Sequence, residues 1–117
     1  MVIRFLTAAT ILLTASSAGA HAMLEDAVPA VGSRVAAPAQ VQLMFDSDVL
    51  AGHSTVVVEG PKGFGGVGQL TMANAWTLVV PLKPPVPPGR YHIRWQVTSS
   101  VDHHVNQGDF GFAVQPD

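Results

Sequence analysis

Two groups of residues in this chain could do metal chemistry. The first is His21. It follows Ala18-Gly19-Ala20, the Ala-x-Ala pattern read by signal peptidase, which itself follows Arg4 and an apolar run from Phe5 to Leu13. Cleavage after Ala20 would make His21 the first residue of the mature chain. A histidine there offers an α-amine and an imidazole on one residue, a chelate that no internal histidine provides. The second group is Asp102-His103-His104, near the other end. In an extended segment residues i and i+2 point to one face, so Asp102 and His104 could meet one ion while His103 turns away. Three nitrogens and one carboxylate oxygen suit a tetragonal Cu(II) ion, and the Irving–Williams order favours copper. Zn(II) also fits such donors, although it prefers tetrahedral geometry. The competing reading makes Asp102 the cap of a polar turn between strands, with no metal at all.

Composition narrows the setting. Residues 1–20 read as a secretory signal peptide and residues 21–117 as one domain. The leader's apolar run is shorter than the roughly 20 residues of a membrane-spanning helix, and no later run reaches that length. An exported chain that is not membrane-spanning after cleavage is expected. Arg4 is the leader's only charge, so the mature chain carries five basic against eight acidic residues. It has no basic run, which argues against nucleic acid as a partner. There are no cysteines, so no disulfide and no thiolate ligand is available.

The elements that must position these residues read as strands. Val41–Phe45, Thr55–Val58, Tyr91–Val97 and Phe110–Val114 alternate or are β-branched. Gln69–Met72 and Trp76–Leu82 read as a hairpin turning at Ala73-Asn74-Ala75. Pro and Gly clusters separate them, and no window has helical periodicity after the leader. The pattern predicts an all-β sandwich or barrel. His92 falls on the solvated face of its strand and His53 in a surface turn. Met23, Met44 and Met72 are scattered, as core fillers would be. No Gly-x-Ser-x-Gly elbow and no phosphate loop is present, so catalysis by a side-chain nucleophile has no support.

Ordered motifs along residues 21–115 resemble the CopC family of periplasmic copper-resistance proteins. They are His21-Ala22-Met23-Leu24, Val28-Pro29-Ala30-Val31-Gly32-Ser33, Val41–Phe45, Gly89-Arg90-Tyr91-His92-Ile93-Arg94-Trp95, Ser100-Val101-Asp102-His103-His104 with Gly108, and Phe110–Val114. The resemblance implies a Greek-key β-sandwich or barrel, cupredoxin-like or Ig-like. It implies a periplasmic Cu(II) site made by His21, Asp102 and His104, acting in copper sequestration or delivery without turnover. It also implies a membrane copper protein of the CopD type as partner; the chain itself is expected to be a monomer. Some members carry a Met-rich loop for Cu(I). The corresponding stretch here, Val58 to Gln69, has neither Met nor His, so no Cu(I) site is expected. Some members place a Glu near the copper where this chain has Asp46, Ser47 and Asp48, and the role of Asp46 and Asp48 stays unassigned. The Trp95-to-Asp102 segment reads one residue long, which keeps His103 as an alternative to His104. Two other functions stay open: a copper-brace oxidative enzyme resembling lytic polysaccharide monooxygenases, and a metal-free Ig-like interaction domain.

Overall fold

The computed structural model describes residues 22–117; the expected leader over 1–20 and His21 lie outside the described residues. Eight strands follow: β1 Leu24–Val28, β2 Arg34–Val35, β3 Gln40–Phe45, β4 Thr55–Glu59, β5 Thr71–Asn74, β6 Thr77–Pro81, β7 Gly89–Thr98 and β8 Val105–Val114. A single 3₁₀ turn, Ala51–His53, precedes β4. The strands form two four-stranded sheets, ordered β1-β3-β6-β5 and β2-β8-β7-β4. β5–β6 and β7–β8 are hairpins, while the other connections cross between the sheets. This is the expected Greek-key arrangement, and with two separate sheets it is a sandwich rather than a closed barrel.

Period-2 alternation builds the core. On β7, Tyr91, Ile93, Trp95 and Val97 are buried, while Arg90, Arg94 and Gln96 face solvent. Val41, Leu43 and Phe45 of β3 close the core from the other sheet. Phe45 meets Trp95 edge-on at 5.2 Å between ring centroids, and Tyr91 stacks on Phe112 at 5.3 Å. The first of these pairs joins the sheets at the end that carries the β7–β8 loop. Such pairs contribute about 0.5–1.5 kcal/mol beyond the area they bury.

The differences from the sequence reading have physical causes. β1 has Glu25 and Asp26 side by side, which hides its alternation. It is a sheet edge, where charge is tolerated and discourages stray pairing. β8 begins at Val105 rather than Phe110, because residues 105–109 pair with β7 without burying a side chain. The β5–β6 turn is shifted to Ala75-Trp76, where Asn74 Oδ1 accepts the Trp76 N–H at 3.0 Å.

Candidate metal centre

Asp102 and His104 lie in the loop joining β7 to β8, and both are exposed. The loop is not the extended segment that the i, i+2 argument assumed. His103 has a left-handed backbone, φ 59°. The Ser99 N–H donates to the His104 carbonyl at 2.8 Å, and the His103 N–H donates to the Ser99 carbonyl at 2.9 Å. The Val101 N–H donates to Ser99 Oγ at 3.1 Å. Closing so short a loop bends the chain out of the pleat, so same-face alternation is lost between 102 and 104. A different device couples them: Asp102 Oδ1 accepts the His104 N–H at 3.0 Å. The turn cap considered from the sequence is therefore present. An aspartate has two oxygens with several lone pairs, so this bond alone does not decide against metal ligation.

The loop is fixed to the opposite sheet. The Ser100 N–H donates to the Asp48 carbonyl at 2.9 Å, and Ser99, fully buried, bridges to Val49. The start of the described chain comes to the same place. Ala22 is fully buried with φ 67°, and its carbonyl accepts Asn106 Nδ2–H at 3.3 Å. Next along, Met23 and Asp46 exchange bonds: the Met23 N–H donates to Asp46 Oδ1 at 2.9 Å, and the Asp46 N–H donates to the Met23 carbonyl at 3.0 Å. Leu24 then pairs with Phe45. Asp46 thus acquires a definite role as anchor of the incoming strand. Among the described residues, no three His, Asp or Glu side chains converge as a metal cluster, so Asp102 and His104 need a donor from outside that set.

Ala22 and Asn106 escaped the sequence reading. A lone asparagine in a polar stretch carries no ligand or cap signature, and an alanine becomes an anchor only through its burial. The remaining histidines behave as read. His53 is exposed in its 3₁₀ turn, and its carbonyl accepts Thr98 Oγ1–H at 3.1 Å. His92 lies on the outer face of its sheet, with Nε2 2.7 Å from Asp109 Oδ2 and Nδ1 3.6 Å from Glu59 Oε1. Arg94 holds Glu59 through two bonds of 2.9 Å. Its hydrogen bonds and its charge pull the Glu59 carboxyl below the usual carboxylate range. A guanidinium already seated on the carboxylate makes these four residues a surface ion-pair network rather than a cation site. The methionines do not converge: the strand register puts Met44 and Met72 on opposite faces of their sheet, and Met23 is exposed.

Comparison with known proteins agrees with this architecture. Residues 24–115 match the CopC domain. The chain is 30% identical to copper resistance protein C of Escherichia coli over 119 residues, covering 94% of each chain. It is 34% identical to protein YobA of Escherichia coli K12 over 110 residues, covering 91% of this chain and 88% of that one. Its fold is similar to the crystal structure of PcoC, a methionine-rich copper resistance protein from Escherichia coli. The TM-score is 0.71 at 30% identity, covering 82% of this chain and 100% of PcoC. CopC from Methylosinus trichosporium OB3b gives a TM-score of 0.69 at 29% identity, covering 82% of this chain and 95% of that one.

Proposed function

The chain belongs to the CopC family, and on that premise we propose that it is a periplasmic copper carrier holding Cu(II) through His21, Asp102 and His104. His21 would supply its α-amine and imidazole nitrogens, His104 a third nitrogen and Asp102 an anionic oxygen. The observation that carries this reading is the Asn106–Ala22 bond. It ties the residue next to His21 to the strand that starts directly after His104. Consecutive Cα atoms are about 3.8 Å apart, so the chain has little slack between Ala22 and a chelating residue 21. The cross-sheet anchors of both segments favour a site that is largely formed before the metal arrives, which lowers the entropy lost on binding.

The protein would sequester or deliver copper in resistance and homeostasis, with no turnover of its own. An aspartate ligand fills a position that an oxygen-activating copper would leave open. The scattered methionines support a site for Cu(II) without a companion thioether site for Cu(I). The partner would be a membrane copper protein of the CopD type; among the described residues no helix is long and apolar enough to cross a membrane.

One experiment tests the reading. The mass of the exported protein fixes its first residue, and Cu(II) titration with electron paramagnetic resonance counts the nitrogen donors. The expected result is a chain starting at His21 that binds one Cu(II) in a tetragonal site with three nitrogens, lost in His21→Ala. A chain starting at Ala22 or later, or full affinity in His21→Ala, overturns it. Peroxide-dependent oxidation by the copper-loaded protein with ascorbate would overturn the carrier role.

A further inference from the structure

The basic side chains are kept away from one end of the sandwich. Four segments meet at the end that carries Asp102 and His104, held together by backbone bonds. The Phe45 N–H donates to the Trp76 carbonyl and the Val49 N–H to the Ala75 carbonyl, both at 2.9 Å, while Ser100 bonds Asp48 and Met23 bonds Asp46 as described. This end carries Glu25, Asp46, Asp48 and Asp102. Among the described residues it carries no Lys or Arg. Arg34 and Arg90 lie at the far end, flanking Ala113 in register, with Lys62 and Lys83 in the loops there. Arg94, midway, is engaged by Glu59.

Of the seven large apolar side chains that reach solvent among the described residues, four are at the acidic end, while Val28, Val31 and Val57 lie elsewhere. Met23, Trp76, Val101 and Val105 are 51, 46, 62 and 51% exposed. Beside Trp76 a shallow cleft is lined by Glu25, Phe45, Asp46, Ser47, Asp48 and Trp76 itself. Ser47 Oγ is buried beside it without a hydrogen-bond partner. A cleft lined by carboxylates and an indole offers a Lys or Arg side chain both charge-assisted hydrogen bonds and cation–π attraction.

We propose that this end docks against a copper-accepting protein whose port is ringed by Lys and Arg around an apolar patch, with one cationic side chain entering the Glu25–Asp48–Trp76 cleft. The choice of partner rests on the copper-carrier reading, because this same end carries the candidate metal loop. Charge complementarity of this kind sets the encounter rate and the orientation more than the final affinity. The chain's own basic end is the rival occupant. Head-to-tail contact of that sort builds rings or open filaments and in either case would cover the copper loop, so a carrier is better served by a foreign partner.

The test uses the metal-free chain starting at His21, labelled with nitrogen-15. It is titrated with a synthetic amidated peptide of Lys, Arg and Leu, and separately with its Glu/Leu counterpart. The basic peptide is expected to shift the amides of Met23, Asp46–Asp48, Trp76 and Val101 but not those of Arg34, Lys83 and Arg90. Its affinity should weaken about tenfold or more between about 20 and about 200 mM salt. Glu25→Gln with Trp76→Ala should weaken peptide binding about tenfold or more while leaving Cu(II) affinity within about twofold; Lys62→Glu with Lys83→Glu should leave peptide binding intact. Shifts spread over both ends, equal shifts from the acidic peptide, or salt-sensitive self-association in sedimentation would overturn the proposal. Loss of copper binding with peptide binding retained would overturn the metal assignment alone.

Discussion

Asn106 Nδ2–H donates to the Ala22 carbonyl across 3.3 Å, although 84 residues separate the two in the chain. This bond links the entering segment to the strand that leaves the Asp102–His104 loop. A neutral hydrogen bond contributes about 0.5–1.5 kcal/mol, so Asn106→Ala should weaken Cu(II) binding about two- to tenfold through looser placement of the amine. Competition titration against a chelator measures it. An unchanged affinity in Asn106→Ala would mean that the Met23–Asp46 exchange alone holds the entering segment.

Asp102 accepts the His104 N–H and is also the proposed anionic ligand. Two substitutions separate these roles. Asp102→Asn keeps an oxygen acceptor for the turn and removes the charge; Asp102→Ala removes both. Asp102→Asn should therefore unfold within about 0.5 kcal/mol of the parent yet bind Cu(II) at least about tenfold more weakly, while Asp102→Ala also loses about 0.5–1.5 kcal/mol of stability. Urea unfolding and copper titration on both variants check this. Equal copper affinity in all three proteins would leave Asp102 as a turn cap only.

The central strands were legible in the sequence because their side chains alternate between a dry and a wet face, as in Tyr91–Val97. β1 was not, because Glu25 and Asp26 interrupt its pattern at a sheet edge. At the metal loop, residue types were informative and local geometry was not. Asp-x-His looks the same on paper in a strand and in a turn. What decides is the Ser99-centred bonding and the left-handed His103, which depend on the docking of Ser100 against Asp48. Ala22 and Asn106 were invisible for a related reason: their importance lies in a contact between the two ends of the domain.

The Glu59–Arg94 pair makes stability depend on pH in a defined direction. The folded carboxyl titrates below its ordinary value, chiefly because of the Arg94 hydrogen bonds. The contribution is therefore complete above the unfolded carboxylate pKa of about 4.3 and fades as pH falls through the lower folded value. Both partners are about half exposed, so the effect is small. The urea midpoint of the parent should exceed that of Glu59→Gln near neutral pH, and the gap should close below about pH 4. A gap that persisted at lower pH would show that Glu59 acts by packing rather than by charge.

Gly108 is paired with Trp95 across β7–β8, and the indole lies flush on its α-carbon. A Cβ there would come within 2.6 Å of Trp95 Cζ2 and 3.0 Å of Cε2. The ring is rigid, and Phe45 stands edge-on to it at 5.2 Å, so it has little room to retreat. The cause is steric, since Gly108 is not among the glycines with positive φ. Gly108→Ala should cost about 1–3 kcal/mol, and for a domain of this size each 1 kcal/mol lowers Tm by about 4–8 °C. Trp95→Phe on the Gly108→Ala background should restore part of the loss, because a smaller ring leaves space for the methyl. It should restore more than Trp95→Phe does alone, since the parent already packs the indole well and the single substitution only opens a cavity. Thermal unfolding of the four proteins yields the coupling between the two sites. A Gly108→Ala chain as stable as the parent, or additive effects in the cycle, would show that the indole can move aside, and that the β7–β8 ribbon carrying Asn106 is softer than its packing implies.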